Sequence, residues 1–161
     1  MTVKDIYLGA EKLINQLIKK ESVAQGHYLT GAMDESLNAK YSSTSKADNM
    51  EGFAVMYMQF VNDGVPAESA SMKQFPFLVK YFILRGLGEK EAKGAAAATI
   101  HKWMKEGMST QASKRFSKTG ARQHLIESAF VGGNTQIDDY MTSGFDYIVE
   151  QEFQKEKSET I

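Results

Sequence analysis

The chain has 161 residues and a mass of 17.9 kDa, room for one domain and a tail at roughly 100–200 residues per domain. With 42% hydrophobic and 24% charged residues it can bury a core, which excludes wholesale disorder and fibrous repeats. It has no cysteine, which excludes disulfide frameworks, thiolate zinc sites and cysteine catalysis, and its formal charge is −1.

The predicted elements begin with an amphipathic helix over Asp5 to Lys20, where Ile6, Ala10, Leu13 and Leu17 recur at three-to-four spacing with Ile14 and Ile18 beside them. Gly26 and Thr30-Gly31 break it. Ser36 to Ser43 alternates, with Leu37, Ala39 and Tyr41 on one side, and is expected as a strand. Tyr41 to Asn49, rich in Ser and Thr, is expected as a hairpin loop. Met50 to Val61 carries both a helical face and strand-type aromatic content; the expectation is a strand covered on both sides. Asn62-Asp63-Gly64 is a turn signal with a positive φ at Gly64, and Val65 to Ser71 follows as a small-residue loop.

Pro76 opens a short helix whose face is Leu78, Val79, Phe82 and Ile83, expected to be mostly buried and to end near Gly86 and Gly88. Glu89 to Glu106 is a further helix with Gly107 at its C-terminal cap. Ser109 to Gly120 is polar and basic. Ala121 to Phe130 is predicted as one more short helix, separated by Gly132-Gly133 from an acidic, partly helical segment whose last residues, Glu156 to Ile161, are expected to fray. These elements predict an α+β fold: an N-terminal helix, a small antiparallel sheet or hairpin, then several packed helices. The domain is placed at 1–131 and the acidic tail at 132–161.

Charge is segregated along this layout. Residues 1–72 carry six basic and nine acidic residues, 73–123 eleven and three, and 124–161 two and eight. Such blocks can be solvated faces with internal compensation, can pair between copies, or can face a polyanion. No apolar run reaches the roughly 20 residues of a membrane span, the longest, Phe53 to Val61, being interrupted by Gln59. The opening, with Lys4 and Asp5, is not expected to be a signal peptide.

Few residues suggest chemistry. His27, His101 and His124 lie far apart, and none has a His or carboxylate four residues on to form a metal pair. No serine occupies a G-x-S-x-G elbow, and Lys118-Thr119 lacks the glycines of a phosphate-binding loop. Asp138 and Asp139 are adjacent, so on a helix their side chains diverge by about 100° and form no acid/base dyad. The expectation is therefore no enzyme, no metal and no cofactor. Lys114-Arg115-Phe116-Ser117-Lys118-Thr119-Gly120-Ala121-Arg122 is the one segment with electrostatic pull on phosphates, although only Phe116 could stack on a base.

The order of several short motifs resembles the head-to-tail connector and tail-completion proteins of tailed bacteriophages, minor neck proteins that include those of the crAss-like group. The carrying residues are Leu29-Thr30-Gly31-Ala32-Met33-Asp34-Glu35-Ser36-Leu37 after the first helix, Met58-Gln59-Phe60-Val61-Asn62-Asp63-Gly64, Phe75-Pro76 opening a helix that ends at Arg85-Gly86-Leu87, then Ala96, Ile100, Glu106-Gly107-Met108 and Ala129-Phe130. The alanine-rich Ala98 to Trp103 and the acidic tail in place of a closing strand depart from the pattern. The resemblance implies a connector-type domain in a non-enzymatic virion protein, made in the host bacterial cytoplasm. It would form a ring of six or twelve copies between portal and tail around the DNA channel. It makes Phe60, Val61, Gly64, Phe75, Phe77 and Phe82 candidate subunit-interface residues, with core packing as the competing fate. Lys114, Arg115, Lys118 and Arg122 become a channel- or partner-facing basic patch with nonspecific contact to packaged duplex DNA. The implied partners are further copies of the chain and portal, neck or tail proteins, with no membrane. The loops at 41–49 and 65–71 are expected to order on assembly. A nucleic-acid-binding regulator using residues 114–122 is the alternative.

Overall fold

The computed structural model describes residues 1–27 and 30–159. Leu29, which opens the first quoted motif, and Thr160 and Ile161, at the end expected to fray, lie outside them. In chain order the elements are α1 (Val3–Ala24), α2 (Ala32–Glu35), β1 (Asn38–Ser43), β2 (Asp48–Phe53), α3 (Tyr57–Asp63), α4 (Phe75–Leu84), α5 (Glu89–Glu106), α6 (Gln111–Lys114) and α7 (Leu125–Glu159), with 3-10 turns at Ala67–Ser69 and Met72–Gln74. The fold is α+β: an N-terminal helix, a two-stranded antiparallel sheet and several packed helices. The chain divides into two compact units. The first comprises Met1–Glu21, Ala32–Val55 and α7 from Ile126 on; the second comprises Ser22–Gly31 and Met56–Leu125.

In the first unit, α1 starts on a reciprocal cap: Thr2 N–H donates to Asp5 Oδ2 at 2.8 Å and Asp5 N–H to Thr2 Oγ1 at 3.2 Å. The bond from the Thr2 backbone, and then the one that Thr2 Oγ1 donates to Asp5 Oδ2 at 2.8 Å, hold the Asp5 carboxyl below its ordinary pKa. Ile6, Ala10 and Ile18 are buried on one face of α1, as the periodicity requires. The hairpin pairs Asn38 with Phe53 through Ser43 with Asp48. Residues 41–43, where the expected strand and the expected loop overlap, are strand, as are 48–49, expected as loop; the loop shrinks to Thr44–Ala47, where Thr44 N–H donates to Ala47 O at 2.9 Å. Tyr41 Oη donates to Asp48 Oδ1 at 2.6 Å across the pair. The Tyr7 ring on α1 lies 5.5 Å from that of Tyr41 and edge-on to Phe145 of α7 at 6.5 Å, tying hairpin and C-terminal helix to α1.

Packing also explains why the break expected at Gly132-Gly133 does not occur. α7 runs through both glycines and through the 131/132 boundary for 35 residues. Glycine in a helix interior costs roughly 1 kcal/mol against alanine. Gly133 and Gly144, however, are buried, and a Cβ on either would collide with a side chain of α1, that of Leu17 at Gly133 and that of Ile6 at Gly144. Bare backbone lets the two helices approach, and the burial of Ile6 and Ala10 outweighs the local cost.

Met50 to Val61 proves to be two elements rather than one strand, the end of β2 in the first unit and most of α3 in the second. Strand β2 stops at Phe53, and from Tyr57 the helical face prevails because Met58 and Asn62, four apart, both turn inward and are 3% and 5% exposed. Gly64 ends α3 at φ 78°, ψ −175°, its N–H donating to Phe60 O at 3.0 Å. The loop at 65–71 is already tied down in the single chain: a 3-10 turn spans Ala67–Ser69, and Met108 N–H donates to Val65 O at 2.7 Å. α5 buries Ala92, Ala96 and Ile100 completely, and α4 packs against α5. Gly107 closes α5 at φ 78°, ψ 176°.

Candidate functional site

α4 is built by local signals. Ser71 N–H donates to Gln74 Oε1 at 2.8 Å just ahead of it, and Pro76 occupies the first turn, where no N–H is required. Arg85 N–H, Gly86 N–H and Leu87 N–H return to carbonyls of the last turn, with Gly86 at φ 93°. Of its ten residues only Lys80 is polar. The helix was expected to be mostly buried, but none of its residues is. Phe77 is 75% exposed, Leu84 52% and Ile83 45%, while Phe75, Leu78, Val79, Tyr81 and Phe82 are half-buried. Apolar content is a demand for cover, and α5 covers one side only. Monomeric proteins seldom leave so apolar a helix open.

The other candidate interface residues separate into two kinds. Phe60 is 52% exposed on α3, and Val61 beside it is half-buried. Gly64 is buried beneath Gln123, whose Nε2 donates to Asp63 O at 3.1 Å. Its role in the single chain is to make the turn.

The basic segment is likewise not one patch. Lys114 ends α6, and Lys114, Arg115 and Lys118 are exposed; the Arg115 guanidinium stacks over the Phe116 ring at 4.8 Å. Arg122 is different. It is half-buried, its Nη1 lies 3.5 Å from Gly26 O, and burial lowers its pKa, with Arg85 adding to the effect and Tyr81 opposing it. Tyr81 lies in the last turn of α4 and Arg85 caps that helix, its guanidinium standing over the Tyr81 ring at 5.3 Å. Thus the C-terminal end of α4 and Arg122, drawn from separate sequence motifs, share one electrostatic neighbourhood.

The backbone of Arg122 also organises the unit, a role with no signal in the sequence. Its carbonyl accepts from His27 Nε2 at 3.1 Å and from Ser109 Oγ at 3.4 Å, and Gln25 Nε2 donates to Gln123 O at 3.3 Å. Burial lowers His27 to about 4 from 6.5, the Arg122 guanidinium adds to this, and the hydrogen bond to Arg122 O opposes it. At neutral pH the imidazole is uncharged and carries its proton on Nε2, towards that acceptor.

A pH dependence follows. Between pH 6.5 and about 4 the unfolded chain holds the extra proton and the folded chain does not, so stability rises with pH across that window. His27's contribution, about 2 kcal/mol after discounting for its partial exposure, is present above pH 6.5 and lost as pH falls towards 4. Urea midpoints at pH 7 and pH 4.5 should show a smaller acid-induced drop in His27→Gln than in the parent chain. An equal drop would contradict the assignment.

Among the described residues no group of three His, Asp or Glu side chains is placed to hold a metal ion, and no helix is long and apolar enough to cross a membrane. His101 and His124 are exposed, as are Asp138 and Asp139. In the first unit an open depression is lined by Met1, Asp139, Tyr140, Ser143, Gly144 and Tyr147. No family model, curated protein or solved structure matches the chain.

Proposed function

We propose that the protein is a non-enzymatic virion subunit that assembles through heterologous contacts into a ring at the head-to-tail junction, around the channel for DNA. The observation that carries this reading is α4: nine of its ten residues are apolar and none is buried, and cations stand on it and beside it at Lys80, Arg85 and Arg122. A surface of that kind in a soluble chain is removed from water by docking. Flanking charge then sets register and excludes wrong partners. The motif order supports the choice of a phage neck over other assemblies, and the segregated charge supports repeated contact between unlike patches of identical copies. Mass photometry over a concentration series, followed by imaging, tests it. A closed annulus is the expected result; a chain that stays monomeric at high micromolar concentration overturns the reading.

The exposure of Lys114, Arg115 and Lys118 favours one second reading, a nucleic-acid-binding regulator. Neutralising these three to Gln should leave thermal stability nearly unchanged, because exposed charges contribute about 0–1 kcal/mol each. For a regulator, the salt slope of duplex binding should shallow by about 0.9 per lost phosphate contact. For a ring subunit, affinity for free duplex is weak before and after.

A further inference from the structure

Resting on the assembly reading above, we infer that the C-terminal arm of α7 docks on the exposed stripe of α4 in a second copy of the chain. The arm is a helix without a core of its own. From Val149 to Glu159 every residue is exposed, including Val149 at 67% and Phe153 at 60%. Helical stability in proteins comes mostly from packing an amphipathic face, and this end of the 35-residue α7 leaves its face in water. Phe145, Val149 and Phe153 recur every four residues and form one apolar stripe. Between Asp146 and Glu159 the arm carries five carboxylates against two lysines.

The α4 stripe is its chemical complement. Phe77, Tyr81 and Leu84 recur at four and three residues on one face, with Phe77 and Leu84 exposed. From Met72 to Leu87 the chain has no acidic residue and three cations, Lys73, Lys80 and Arg85. An apolar stripe edged with carboxylates meets an apolar stripe edged with cations, the geometry of a helix laid along a hydrophobic groove, with charge fixing its direction. The choice of a second copy over another partner rests on this match. Arm and stripe are different surfaces of one chain, so each added copy leaves one arm and one stripe unused. Such a contact propagates until it closes on itself.

Two full-length variants test this directly. V149D/F153D spoils the arm and keeps the stripe; F77D/L84D spoils the stripe and keeps the arm. All four positions are at least half-exposed, so both should fold, with helical circular dichroism and melting close to the parent. Each alone should need at least about 30-fold higher concentration to associate, the effect of losing an apolar anchor. Mixed in equal amounts they should give a one-to-one dimer and nothing larger, since only one functional arm and one functional stripe can meet. If an aspartate pair unfolds the chain, E150K/E152K mixed with K80E/R85E decides the matter: each charge reversal should weaken association and the mixture should restore it. A variant that assembles like the parent, or a mixture that stays monomeric because the stripe serves another partner, overturns the inference. Where the parent still forms rings, that outcome leaves the ring reading standing. A parent chain that never associates removes both.

Discussion

Replacing Gly107 with alanine is expected to be among the most damaging single substitutions in the second unit, lowering stability by about 3 kcal/mol. Two costs combine. Gly107 sits at φ 78°, ψ 176°, a region only glycine populates readily, and an L side chain forced there costs of order 1–3 kcal/mol. The new Cβ would also stand 3.2 Å from Val65 O, the oxygen that accepts Met108 N–H at 2.7 Å. Disturbing that bond costs a further ~1 kcal/mol. The consequence extends past one turn, because the Val65–Met108 bond fixes the segment after α3 to the end of α5. Thermal unfolding should fall by about 6–12 °C for a chain of this size. A melting temperature within about 2 °C of the parent would mean that the backbone can leave this conformation cheaply, contrary to the argument. Gly64, with nearly the same angles but only the Gln123 side chain over it, should respond in the same direction.

Both glycines are legible in the sequence, for a physical reason. Helix stops are local: Glu89 and Glu91 at the start of α5 and Gly107 at its end are dictated by unsatisfied backbone groups within one turn, so that helix is bounded correctly from sequence. The same holds for Pro76 and Gly86 around α4. Sequence and structure part where a distant segment decides. Met50 to Val61 fits strand and helix alike, and the choice of helix from Tyr57 rests on Met58 and Asn62 finding an interior that lies elsewhere in sequence. Gly132-Gly133 carries a strong local signal for a break. Leu17, more than a hundred residues earlier, makes Gly133 a packing requirement instead.

The site was legible to the same extent. Phe77 and Phe82 could be named from composition, but whether α4 is core or surface depends on how much of it α5 covers. The run from Lys114 to Arg122 reads as one patch in sequence. In the folded unit Arg122 leaves it, because its carbonyl holds His27 and its guanidinium reaches Gly26 O, so that the exposed charge is Lys114, Arg115 and Lys118. No periodicity announces an arginine whose backbone is the useful part.

The first unit offers the matching experiment on long-range packing. Gly144→Val is expected to destabilise by about 2–3 kcal/mol, from overpacking against a filled core. A Cβ at Gly144 would lie 2.9 Å from Ile6 Cγ1 and 3.0 Å from its Cδ1. Ile6 is fully buried and cannot yield without opening space elsewhere, and valine adds two further carbons. Gly132→Ala is the control: nothing lies within 4 Å of its Cβ position, so removing an interior glycine should stabilise α7 by about 0.5–1 kcal/mol. Opposite signs at two glycines of one helix would show that α7 is held by its approach to α1 rather than by propensity. Melting should drop by about 5–10 °C in the first variant and rise by about 2–3 °C in the second. If both raised the melting temperature, the close α1–α7 crossing would be wrong, and with it the explanation of why the helix runs unbroken through Gly132-Gly133.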